Sequence, residues 1–175
     1  RSMGGQGGWS TAAGRGVCGW CLLLALVLTA VPARAWQGRV RSVPDGDSLT
    51  VERAGRTVKV RLYGIDSPEY RQPGWREARD FTRRLVNGRT VDIEPMDRDN
   101  YGRVVAVVSR DGVLVNRELV RAGHAWQYPR YCRSRDLCAE MESLQDAARA
   151  ERLGLWRERS PLPPWKWKRL TKNRR

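Results

Sequence analysis

The sequence predicts an α+β fold, a small barrel of five strands with about three helices, and three observations predict it. Residues 36 to 66 alternate with a period of two, the turns Asp45-Gly46 and Ala54-Gly55 divide that run into hairpins, and helical periodicity enters only after Pro73-Gly74 and again beyond residue 115. Alternation puts successive side chains on opposite faces of a sheet, so one face is apolar and the other charged. Asp-Gly pairs supply the backbone freedom that tight hairpins need.

Strands are expected near 37 to 43, 48 to 53 and 56 to 65, the last alternating Val58, Val60 and Leu62 with Thr57, Lys59, Arg61 and Tyr63. Pro73 and Gly74 then lead into a helix carrying Ala78, Phe81, Thr82 and Leu85 on one face, with Gly88 as its stop. Two more strands follow near 90 to 95 and 102 to 109, and Asp111-Gly112 turns the chain toward Val113 to Val115. A short helix from about Val115 to Ala122 ends at Gly123; a longer one from about Asp136 to Leu153 aligns Leu137, Met141, Leu144 and Ala148 and is capped by Gly154. Five strands with a helix after the third and helices at the end is the order of the oligonucleotide/oligosaccharide-binding barrel.

The two ends differ in character from this middle. Val17 to Val31 is an almost unbroken apolar run of about 15 residues, short of the roughly 20 that cross a bilayer, with Arg15 before it and Ala33-Arg34-Ala35 after it. Residues 1 to 35 therefore read as a secretory signal peptide cut before Trp36, which implies a secreted or periplasmic protein without a stable membrane span; an uncleaved anchor is the alternative. Residues 159 to 175, rich in Pro, Trp, Lys and Arg without periodicity, read as a basic tail, leaving 36 to 158 as the folded domain.

The whole chain has a formal net charge of +14, and losing residues 1 to 35, which hold three Arg and no acid, leaves +11. Such an excess points to a polyanion or an anionic surface as partner. Cys18 and Cys21 lie inside the apolar run and read as hydrophobic filler. Cys132 and Cys138, six apart in a polar segment of an exported chain, are expected to form a local disulfide; two cysteines without a neighbouring His are too few for zinc. Oligomeric state has no signal in the sequence, and a monomer is the expectation.

Three stretches gather acids and arginines: Asp45-Gly46-Asp47, Arg61 to Glu69, and Tyr101-Gly102-Arg103. Asp-Gly-Asp is an ordinary turn composition, but Asp47 shares the parity of Leu49 and Val51 and so points inward at the barrel rim. Asp66-Ser67-Pro68-Glu69 brings two carboxylates to the end of a strand, and Gly64 marks a bulge before them. Carboxylates so gathered repel unless a cation lies between them, and Asp47, Asp66, a backbone carbonyl and water make an oxygen-only set suited to Ca²⁺ or Mg²⁺. Arg61 and Arg103 offer planar forks for phosphate oxygens as charge develops in a transition state. His124, the single histidine, lies between Gly123 and Ala125-Trp126 and reads as structural.

From about Gly38 to Trp156 the chain resembles the staphylococcal nuclease family, whose pattern is read here in Asp45-Gly46-Asp47-Ser48, Arg61, Asp66-Ser67-Pro68-Glu69 and Tyr101-Gly102-Arg103. Val113-Leu114-Val115-Asn116, Leu119-Val120, Gly123 and Gly154-Leu155-Trp156 look like the family's terminal helical region. The resemblance implies a calcium-dependent endonuclease acting on DNA and/or RNA and leaving 3′-phosphate ends. It makes Asp47, Asp66 and the carbonyl of Ser67 the calcium ligands, Glu69 the residue that positions or deprotonates water, and Arg61 and Arg103 the phosphoryl grips. Tyr101, Tyr128 and Tyr131 become the substrate contacts. The segment between Glu69 and Arg103 is shorter than in the family's best-known member, and of the tyrosine pair that flanks the nucleotide there, only Tyr131 aligns directly, with Tyr128 reaching by a shifted path. The rival reading is a non-catalytic barrel that grips nucleic acid through its basic surface and Trp-bearing tail.

Overall fold

A computed structural model describes residues 35–172; the signal peptide reading and the last three residues of the basic tail lie outside the described residues. Strands β1 (Trp36–Asp45), β2 (Ser48–Arg53) and β3 (Arg56–Leu62) form the predicted hairpins, and β4 (Ile65–Asp66) follows. Helix α1 (Trp75–Val86) precedes β5 (Thr90–Arg98), β6 (Val104–Arg110) and β7 (Val113–Leu114), which run into α2 (Val115–Arg121). Then come β8 (Trp126–Gln127), a 3₁₀ turn (Pro129–Tyr131), α3 (Arg135–Ala150), a second 3₁₀ turn (Gly154–Arg157) and α4 (Pro164–Lys172).

The sheet runs β3-β2-β1-β5-β6-β7, and a parallel pairing of β3 with β6 closes five of its strands into the predicted barrel. Register shifts between Val40 and Asp45 interrupt the pairing of β1 with β2, and such bulges let one long strand bend around a small barrel. Inside lie Val40, Leu49, Val51, Val60, Leu62, Ile93, Val108, Leu119 and Met141, each at most 1% exposed. These are the inward members of the period-two and helical patterns. Burying one such side chain stabilises by roughly 1.5–3 kcal/mol before entropy is counted. The buried Asn116 accepts from the Val108 N–H at 3.0 Å and donates to the carbonyls of Tyr63 at 2.9 Å and Ala106 at 3.3 Å. Fully satisfied, it fastens α2 to the end of the closing strand pair.

Several details differ from expectation, among them the end of β5 at Arg98 rather than 95. The third strand stops at Leu62 rather than 65, because Gly64 takes a φ of +73° and the chain restarts as β4 to pair with β8. A side chain at Gly64 would meet Cys132 Sγ and the Met141 methyl at 2.8 Å, so the position tolerates only glycine. β6 begins at Val104 rather than 102, and α3 ends at Ala150 rather than 153, where Arg152 has φ 54°.

The largest difference is the tail. Residues 164 to 172 are helical, and Pro164, which suits a first helical position, is buried. Trp165 packs on a second apolar cluster of Trp126, Ala148, Leu155 and Trp156. No periodicity announced this helix because what holds it is a distant aromatic cluster. Cys132 and Cys138 are bridged, as the spacing suggested. Among the described residues no helix is long and apolar enough to cross a membrane.

Candidate active site

The β1–β2 turn and the chain after β3 meet at one end of the barrel. Thr82 of α1 donates its hydroxyl to the Gly46 carbonyl at 2.6 Å and so holds the Asp45-Gly46-Asp47 turn against the helix. A Cβ on Gly46 would meet Ser67 and Ala78 within 2.9 Å, so this close approach also requires glycine. The turn thereby faces Ser67, whose backbone N–H donates to Asp47 Oδ2 at 2.6 Å. Pairing of Asp66 with Trp126 in the β4–β8 ladder fixes the second carboxylate.

Arg61 joins the two. Its guanidinium nitrogens lie 2.5 Å from Asp47 and 2.6 Å from Asp66; both carboxylates are buried and Arg61 is partly buried. Burial resists the charge on Asp47, but Arg61 and the Ser67 N–H outweigh it and hold that carboxyl below the usual range. Asp66 behaves oppositely: its burial and the negative charge of Asp47 outweigh Arg61 and Lys168 and push it up to about 7. Burial and Asp47 likewise push Asp45 up to about 6. Of the two carboxyls that share Arg61, Asp47 keeps its charge and Asp66 keeps a proton into neutral pH.

Arg103 approaches from the loop before β6. Asp99 anchors it twice, through the backbone N–H at 3.0 Å and through Nε at 2.6 Å, and its Nη1 reaches Ser48 Oγ at 3.5 Å. Ser48 is itself the register partner of Arg61 across β2 and β3. Asp99 is a site residue that the sequence reading missed; the Asp99-to-Arg103 spacing carries little meaning until the loop geometry is seen. A cleft of about 330 Å³ is lined by Asp45, Asp47, Glu69, Tyr101, Arg103 and Lys168. Lys168, delivered by α4, was also missed. Its ammonium lies 2.7 Å from Glu69 and 3.7 Å from Asp66. Burial opposes its charge, but the two carboxylates hold it above the usual lysine range.

The expected site residues thus fall into two groups. Asp47, Glu69, Arg103 and Tyr101 line the cleft, Tyr101 85% exposed and beneath the Arg103 guanidinium, while Arg61 ties Asp47 to Asp66 and the Ser67 N–H binds Asp47. Tyr128 and Tyr131 meet edge to face at 4.9 Å beside a second groove lined by Pro129, Arg130 and Arg169. Trp165 covers one face of Tyr128, the rings nearly parallel with centroids 4.6 Å apart. His124 packs against Phe81, its pKa lowered by burial and by Arg84.

The donors fit a hard divalent cation. They are oxygens only, and Asp66 Oδ2 is buried without a hydrogen-bond partner. Among the described residues no three His, Cys, Asp or Glu side chains form a ligand cluster, so a cation would rest on two carboxylates and complete its shell with carbonyl, water or phosphate oxygens.

The family described as staphylococcal nuclease homologue matches residues 59–158, which carry Arg61, Asp66, Glu69 and Arg103 on the barrel just described. The chain belongs to the staphylococcal nuclease family. Among its relatives is an Escherichia coli protein described as an uncharacterized endonuclease, 40% identical over 132 residues that cover 75% of this chain and 84% of the relative. A micrococcal nuclease of Shigella flexneri is 34% identical over 158 residues, covering 85% and 90%, and the Escherichia coli protein ParB is 36% identical over 163 residues, covering 86% and 91%. Membership in this nuclease family makes hydrolysis of nucleic acid the chemistry the site has to explain. The family match ends at residue 158, so α4 of this nuclease lies outside it.

Proposed function

We propose that the protein is an exported, calcium-dependent endonuclease that hydrolyses DNA and RNA phosphodiester bonds and leaves 3′-phosphate ends. The observation that carries this reading is that Asp47, Glu69 and Arg103 line one cleft while Arg61 ties Asp47 to the buried Asp66. A module that only bound phosphate would have no use for buried carboxylates at the point where phosphate is to sit, since they repel it.

Asp47, Asp66 and the Ser67 carbonyl would hold the calcium, which when bound offsets phosphate charge and lowers the cost of forming a water nucleophile. Glu69 orients a water against phosphorus and accepts its proton as the water oxygen bonds. The bond from phosphorus to the 5′ oxygen breaks, that oxygen leaves as an alcohol after taking a proton from solvent water, and the phosphate stays on the 3′ side. Arg103, held in place by Asp99, meets the charge that builds on the equatorial oxygens. Arg61 neutralises the paired carboxylates and lends its remaining N–H groups to the same phosphoryl group. Tyr101 and Tyr131 present exposed rings to the substrate, while Tyr128 acts from its stack with Trp165.

The test is digestion of plasmid DNA and of RNA by the purified protein with Ca²⁺, Mg²⁺ or chelator, followed by end-group analysis. Cleavage with calcium in the millimolar range, none in chelator, and 3′-phosphate ends are expected. Full activity in chelator would remove the metal from the account, and retention of nucleic acid on the protein without cleavage would favour a binding module.

A further inference from the structure

Glu69 is the most exposed of the site carboxylates, and a flexible side chain that must orient water gains rate from being held still. Its carboxylate has one ion-pair partner among the described residues, Lys168 at 2.7 Å. That lysine comes from the helix beyond the family match. From the proposed nuclease reading and this geometry we infer that Lys168 is a positioning residue, which fixes the Glu69 carboxylate for its task and makes α4 part of the active site.

Two further contacts support it. Gln72, buried, accepts from the Glu69 N–H at 3.0 Å and donates to the Leu162 carbonyl at 2.6 Å, so one side chain ties the Glu69 turn to the segment leading into α4. One turn before Lys168, Trp165 lies flat on Tyr128 and edge-on to Trp126 at 5.8 Å. The helix and its lead-in are therefore held to the domain at two points, Gln72 and the Trp126–Tyr128 surface, and Lys168 is directed by that seating. A stabilising role is the weaker explanation, because an ion pair half open to water contributes little to folding. A plug is the other alternative: a helix that shields the Glu69 and Asp66 carboxylates with its own ammonium would restrain the enzyme and not assist it.

The deciding experiment compares wild type, K168A, K168R, E69Q and K168A/E69Q in single-turnover cleavage of an end-labelled oligonucleotide with saturating Ca²⁺, beside calorimetric Ca²⁺ titration. K168A should cleave roughly 10- to 100-fold more slowly with KM and Ca²⁺ affinity close to wild type. K168R should recover most of the rate, since it restores a cation to Glu69. The double variant should be no slower than E69Q, because Lys168 acts through that residue. A K168A rate at or above wild type, a defect in KM alone, or losses that multiply in the double variant would each overturn the inference while leaving the nuclease standing. Inactivity of the wild type with every cation would instead overturn the nuclease reading, and this inference with it.

Discussion

Replacing Arg103 by alanine is expected to lower kcat by on the order of 10² to 10⁵, with KM and folding stability near wild type. Arg103 hangs from the partly exposed Asp99 and lines the cleft, so its removal takes away a donor aimed at developing charge, while its buried neighbour Ser48 keeps Asp47 as a hydrogen-bond partner. Arg61→Ala should lose a similar factor in rate but also unfold more readily. It would leave Asp47 and Asp66 facing each other without their shared guanidinium, and removing one member of a buried ionic group costs roughly 3–5 kcal/mol. Calcium should restore part of that stability, since it too supplies positive charge to the pair. Arg103→Lys keeps the charge but loses the planar fork and should remain strongly impaired. Steady-state kinetics beside thermal melts with and without Ca²⁺ separate the two arginines. Equal stability losses in both would contradict the division of labour drawn here.

Asp66→Asn should weaken calcium binding by more than tenfold and remove most of its pH dependence. The sign follows from the raised carboxyl. Asp66 holds its proton up to about 7 in the folded protein, against an ordinary value near 3.9 in the unfolded chain. Protonation therefore favours the folded state, and this contribution is lost as pH rises from the unfolded value through about 7. A divalent cation competes with that proton for the same oxygens, so apparent calcium affinity should climb by up to about tenfold per pH unit below 7 and level off above it. Calorimetry at pH 5.5, 6.5 and 8 with matched proton-uptake measurements checks this; a flat wild-type profile would mean that Asp66 is not a ligand.

The barrel was legible in the sequence because its information is local. Val58, Val60 and Leu62 alternate, Asp45-Gly46 and Ala54-Gly55 turn, and Gly88 and Gly123 close helices within a few residues of the pattern they end. The carboxylate and arginine set was legible for another reason: Arg61, Asp66, Glu69 and Arg103 fall within the stretch that the family match covers, and Asp47 sits in a turn whose composition the sequence shows directly. What stayed hidden depends on distant partners. β4 and β8 are two residues each and exist by pairing across 60 positions of chain, too short to show a period. Asp99 matters only because a loop folds it onto Arg103. The tail looked unstructured because Pro, Trp, Lys and Arg without periodicity make no amphipathic face of the usual kind; Trp126 and Tyr128 supply the surface that Trp165 needs. The ordered tail bears on truncation. Removing residues 160 to 175 takes away basic side chains with no acid among them and also the lysine on Glu69, so it should slow chemistry as well as weaken binding.

The central claim is that these residues perform hydrolysis and do more than bind, and Glu69 tests it most directly. Glu69→Gln keeps the size and hydrogen-bonding shape of the side chain but removes the carboxylate proposed to accept a proton from water. In single-turnover cleavage at saturating oligonucleotide and Ca²⁺, with substrate affinity measured on the same samples, binding should stay within about twofold and cleavage should slow by on the order of 10² to 10⁴. Cleavage at the wild-type rate by a fully bound Glu69→Gln protein would contradict the account.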